Sequence, residues 1–199
     1  MKPTAPLQPG RYYHIYDRGN NREDLFREDG IIATLCNCTL DMSIPSRTRS
    51  LTVCCGTTFT CWYGSSRPHR SPRPVRSWRP AGSPHFSNLF NAYTKAINKA
   101  YGRTGSLFAE RFGRIAVTSD RYFLQLITYI HLNSQKHGFV DDFREWPWSS
   151  YHALRGAGDT RLDRTEVLGW FGNRAQFESL HRGMVDEAAI AALIEVDLA

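Results

Sequence analysis

The chain has 199 residues, enough for one domain with a real core, or one domain and a tail. Its apolar (41%) and charged (22%) fractions are ordinary for a globular protein. No apolar run approaches membrane-spanning length, and the opening MKPTAPLQPGRYYH lacks the apolar core of a signal peptide, which argues against membrane and secreted classes and leaves a cytoplasmic protein as the expectation. A net charge of +6 suggests an anionic partner such as nucleic acid, but that charge is unevenly placed.

Residues 31–85 hold seven Arg (Arg47, Arg49, Arg67, Arg70, Arg73, Arg76, Arg79), no Lys and one acid, Asp41. That segment alone is +6, and the other 144 residues, with 18 bases and 18 acids, are neutral. All five cysteines (Cys36, Cys38, Cys54, Cys55, Cys61) fall there too.

In chain order, RYYHIY at 11–16 reads as a strand of aromatic and β-branched type, followed by the polar turn DRGNNRE. His14 reads as a packed strand histidine rather than a ligand. Between 31 and 85 no sustained helix or strand period is visible. Residues 65–84 contain five Pro, five Ser and five Arg, a composition that argues for a disordered basic linker. From Phe86 the pattern turns helical: Phe86, Leu89, Phe90, Tyr93, Ile97 and Tyr101 recur at three- and four-residue spacing, with Gly102 where a C-terminal cap belongs. RTGSLFAERFGRIAV then gives a glycine-punctuated loop bearing Arg103, Arg111 and Arg114 and running into a short β-like stretch. A second helix should start at Ser119 or Asp120, bury Phe123, Leu126, Ile127 and Ile130, and end before Gly138. DDFREWPWSSYHAL reads as an aromatic loop leading to a short helix, and 163–199 as two or three short helices, the last apolar and acidic.

Three blocks, YYHIYDRGNNRED, FSNLFNAYTKAINKAYGRTGSLFAERF and YFLQLITYIHLNSQKHGFVDDFREWPWSSYHAL, together resemble the REP-associated tyrosine transposases, in the single-tyrosine (HUH) transposase superfamily. The resemblance covers about 11–30 and 86–155. It implies an α+β domain over 1–155, an antiparallel sheet flanked by helices (ferredoxin- or RRM-like), with the central part 31–85 disrupted or disordered and 156–199 as a helical tail. It also implies a partner, single-stranded DNA with hairpins such as repetitive palindromic elements, and a state of monomer or homodimer. The family's reaction is cleavage and rejoining through a 5′-phosphotyrosine. A divalent cation, Mg²⁺ or Mn²⁺, held by a His–hydrophobe–His pair on a central strand, polarises the phosphate. Carried onto this sequence, the nucleophile is Tyr129 in TYIHLN, and Asn133, one helical turn on, is a metal-site residue. Read from the residues alone, Tyr129 beside Ile130 is a core position, and Tyr93 and Tyr101 are packing. Ser134 stands where the family has a proline. Arg103, Arg111 and Arg114 are the candidate DNA-phosphate contacts.

The family's histidine strand should lie between the first block and the helix at 86, but that interval holds only His69 and His85, in no such motif. The genetic code offers a reason. Reading each new codon from the third base of one residue and the first two of the next, Cys54 to Tyr63 permits Leu-Arg-Asn-His-Phe-His-Val-Leu-Val, with the histidines on the codons that straddle Thr57–Thr58 and Phe59–Thr60. Leu35–Cys38 likewise permits Leu-Gln-Leu, suited to a helix. The expectation is therefore that about 31–85 is translated out of frame. Three other readings compete. A zinc site fits poorly, since C-x-C followed by adjacent cysteines lacks the ligand spacing of zinc fingers and ribbons. An Arg-rich nucleic-acid arm would bind phosphate without fixed structure. A solvated tract needs no function. Disulfides do not suit a cytoplasmic chain. The functions left in play are an impaired transposase, a non-catalytic DNA-binding protein and a degenerate gene product.

Overall fold

The computed structural model describes residues 7–8, 11–22, 25, 30, 48–55, 58–65, 82–109, 111–160 and 162–183. Four strands, β1 (Tyr12–Arg18), β2 (Thr48–Cys55), β3 (Thr58–Ser65) and β4 (Gly113–Ala116), form one sheet in the order β2-β3-β1-β4, with every neighbouring pair antiparallel. Helices α1 (Gly82–Ala100) and α2 (Asp120–Lys136) are long, whereas α3 (Ser150–Arg155), α4 (Arg164–Trp170) and α5 (Arg174–Arg182) are short. This is the expected α+β architecture, an antiparallel sheet flanked by helices.

The alternation of β1 divides the interior in two, because successive strand side chains point to opposite faces. Tyr13 and Ile15 pack with Phe86, Leu89, Phe90, Tyr93 and Ile97 of α1. Tyr12 packs with Phe123, Leu126, Ile127 and Ile130 of α2, in a core shared with Tyr151, Leu154, Val167, Phe171 and Phe177 of α3–α5. One face of the sheet thus carries α1 and the other carries α2 with the short helices. The Tyr12 ring meets Trp170 edge-on at 5.4 Å, and its hydroxyl donates to Glu166, which ties β1 to α4.

The helix boundaries follow local chemistry. Ser119 caps α2, its hydroxyl accepting from the Tyr122 N–H, and Gly138 beyond the last turn takes φ +73°. Gly102 ends the α1 segment at φ +61°, a conformation that glycine adopts at little cost. At Gly113 the Tyr16 ring lies where a Cβ would stand, so only glycine lets that ring cross β4.

The segment without a sequence period nevertheless contains β2 and β3. TRSLTVCC and TFTCWYGS carry Thr, Val and aromatic residues of high β propensity. A strand paired along both edges, as β3 is, needs that propensity and partners but no alternation. The helix suggested around Leu35–Cys38, the Pro/Ser/Arg tract at 66–81 and the apolar–acidic end at 184–199 lie outside the described residues.

Candidate nucleophile and nucleic-acid interface

Tyr129 and Asn133 sit one turn apart on α2, which rests against β2 and β3. The Tyr129 ring is half-buried, with the Lys136 ammonium 5.7 Å from its centroid. Asn133 is 2% exposed, and its side-chain oxygen has no hydrogen-bond partner among the described residues. A buried acceptor in that state costs about 1–3 kcal/mol. In the backbone register, positions 58 and 60 of β3 stand opposite Arg18 and Tyr16. Those two belong to the alternate set of β1 that includes Tyr12, the set on the α2 side.

His14 belongs to the same set. It is 1% exposed, neither ring nitrogen has a hydrogen-bond partner among the described residues, and burial pulls it down to about pH 3, so it is a neutral packed ring near neutrality. No group of three or more His, Cys, Asp or Glu able to hold a metal occurs among the described residues. One amide oxygen does not satisfy a Mg²⁺ or Mn²⁺ ion, which takes about six oxygen or nitrogen ligands, so the described donor set does not fit the cation that the resemblance implies.

Two positions beyond Tyr129 the sequence hides a polar relay. His131 is fully buried; its Nδ1 lies 2.7 Å from His181 Nε2 and its Nε2 lies 2.8 Å from Ser150 Oγ. His181 Nδ1 lies 2.7 Å from the Phe177 carbonyl oxygen, which can only accept. The proton roles follow in order: His181 donates from Nδ1 and accepts at Nε2, His131 donates from Nδ1 and accepts at Nε2, and the Ser150 hydroxyl donates. Both rings are neutral in this arrangement, and burial depresses both, His181 to about 4. The relay fastens α2 to α3 and α5.

The three candidate arginines separate. Arg103 donates from Nη1 to Asn98 Oδ1 at 3.2 Å and supports the end of α1. Arg111 and Arg114 instead line an open cleft of about 600 Å³ between α1, the end of β1 and the 106–114 loop. Ser87, Asn91 and Thr94 of α1 form one wall, Asp17 and Ser106 another, and Phe90, Phe108 and Phe112 the floor. The Arg114 guanidinium stands 5.6 Å over the Phe112 ring, and partial burial lowers its basicity. This cleft lies on the α1 face, whereas Tyr129 and Asn133 belong to the helix on the opposite face. The structure therefore brings Arg111 and Arg114 together, and Tyr129 and Asn133 together, but not the two pairs with each other. The cleft wall had a sequence signal, the polar positions Ser87, Asn91 and Thr94 running beside the apolar stripe at helical spacing. His131 and His181, 50 residues apart, had none.

The described residues include no helix long and apolar enough to cross a membrane. No family model matches the chain. A REP-associated tyrosine transposase from Escherichia coli (strain K12) is 26% identical over 103 residues, covering 52% of this chain and 58% of that protein. A Haemophilus influenzae protein described in the same terms is 31% identical over 55 residues, covering 28% of this chain and 31% of its own length. The chain thus spans less than two thirds of both relatives. Among solved structures, a REP-associated tyrosine transposase bound to a REP hairpin superposes with a TM-score of 0.55 at 16% identity, over 80% of this chain and 92% of that one. Sequence and fold together relate this chain to the REP-associated tyrosine transposases.

Proposed function

We propose that this chain is a transposase-type protein that binds hairpin-bearing single-stranded DNA, with Tyr129 in the place of the nucleophile and a metal site that has lost its histidines. The observation that carries this reading is the register of β3. Positions 58 and 60, about where the shifted frame permits His-Phe-His, stand opposite Arg18 and Tyr16, in the set of β1 that looks toward the helix of Tyr129 and Asn133. In the family's reaction the tyrosine oxygen attacks phosphorus, forms the 5′-phosphotyrosine and releases a 3′-hydroxyl, and the cation offsets the charge that develops. Here Tyr129 can supply the oxygen and Asn133 one amide donor. Without the cation's electrostatic contribution, cleavage is weak or absent while binding through the arginines persists.

The test is to incubate the full chain with a hairpin-bearing single strand and Mn²⁺, then measure binding and covalent adduct separately. The expected result is retained hairpin binding, with any trace adduct abolished by Tyr129→Phe. An adduct that survives Tyr129→Phe would remove Tyr129 from its role. A chain that neither binds the strand nor melts cooperatively would mark a degenerate gene product.

A further inference from the structure

We propose that the cleft between α1 and the 106–114 loop is a seat for one unstacked nucleotide of a single-stranded segment, its base over the phenylalanine floor and its phosphate on Arg111 and Arg114. This deepens the reading of the chain as a DNA-binding protein and rests on it.

The cleft's chemistry is that of a nucleotide. A base is a flat amphipathic ring joined to an anion, and the cleft sets an aromatic floor beside two guanidinium groups. Phe90 and Phe108 meet edge-to-face at 4.9 Å, a geometry that holds the floor rigid. Arg111 is exposed at the rim, where it can reach a phosphate without desolvation. Asn91 is exposed on the α1 wall and offers both a donor and an acceptor to a base edge. The Asp17 carboxylate opposite accepts from the Arg18 N–H and adds acceptor character to the same space. A free phosphate would use the arginines and leave Asn91 and the exposed edges of the floor unused. A duplex keeps its bases stacked and would present only its backbone to an opening of this size. At about 600 Å³ the cleft falls among pockets that enclose single small molecules, typically ~300–1,000 Å³. Single-strand recognition on aromatic surfaces with neighbouring arginines uses this combination of groups.

The experiment uses the full chain and hairpin-bearing strands in which 2-aminopurine replaces each unpaired nucleotide beside the stem in turn. Asn91→Trp fills the cleft from an exposed helix position, and Lys99→Trp sets the same ring on α1 outside the cleft lining. The expected result is quenching at one position with the wild type. In Asn91→Trp that quenching is lost and affinity falls about tenfold, the worth of one stacked base. Lys99→Trp keeps the quenching. Equal affinity and equal quenching in Asn91→Trp and the wild type would overturn the proposal. A second arm titrates free deoxynucleoside 5′-monophosphates while following the Asn91 and Arg111 side-chain NMR signals. Shifts there without any binding of the hairpin strand would keep the nucleotide seat and sink the DNA-processing reading. Hairpin binding with no shifts and no quenching would do the reverse.

Discussion

The hydrogen-bonded pair His131–His181 joins three helices through neutral rings, and its protonation has a definite sign. His181 titrates near 4 in the folded chain against about 6.5 when unfolded, and His131 is depressed as well, by burial and by the neighbouring His181 and His152. A depressed folded value means that stability is full above pH 6.5 and is lost as pH falls toward 4. For His181 alone the loss is about 3 kcal/mol by pH 4. Denaturant midpoints measured from pH 7 to 4 should fall steeply, and His181→Gln, which cannot take up the proton, should flatten that slope. An unchanged slope would show that the pair is not what the acid attacks. At the capping position, Ser119→Ala should lower stability by about 1 kcal/mol, read from the same midpoints, because the Tyr122 N–H loses its acceptor.

At the scale of elements, the sheet positions both candidate sites. Gly113→Ala should displace the Tyr16 ring and cost about 1–3 kcal/mol, measurable by thermal melting. In the register of β3 against β1, the double substitution Thr58→His/Thr60→His should create Mn²⁺ affinity that the wild type lacks, detectable by titration calorimetry and dependent on Asn133. Metal binding that is indifferent to Asn133→Ala would contradict the shared site. Helices α1 and α2 were legible in the sequence because the Phe86–Tyr101 stripe and the Ser119 cap are local signals. Strand β1 was legible from its aromatic and β-branched run, and Gly102 and Gly138 from the left-handed turns that they make. Strands β2 and β3 were not: they pair with each other as sequence neighbours, but neither alternates, and β3's other partner is the distant β1. Tyr129 and Asn133 lie one turn apart on α2, as their spacing requires, and the roles proposed for them come from the resemblance. The separation of the arginines onto the other face required the β1–β4 register, which pairs Ile15 with Arg114.

For the whole molecule, the distribution of charge and cysteine remains the sharpest fact. A neutral, cysteine-free chain surrounds a segment that carries the entire +6 and all five cysteines. The sheet still admits two strands from that segment, and β3 pairs directly with β1. The proposed out-of-frame stretch would account for the compositional break and for the absence of a His-hydrophobe-His motif from residues 31–85. The most direct measurement is the nucleotide sequence of codons 28–88. The shifted frame should be open across the segment and read His-hydrophobe-His at about codons 58–60. Stop codons within that frame, or no histidine pair, would contradict it.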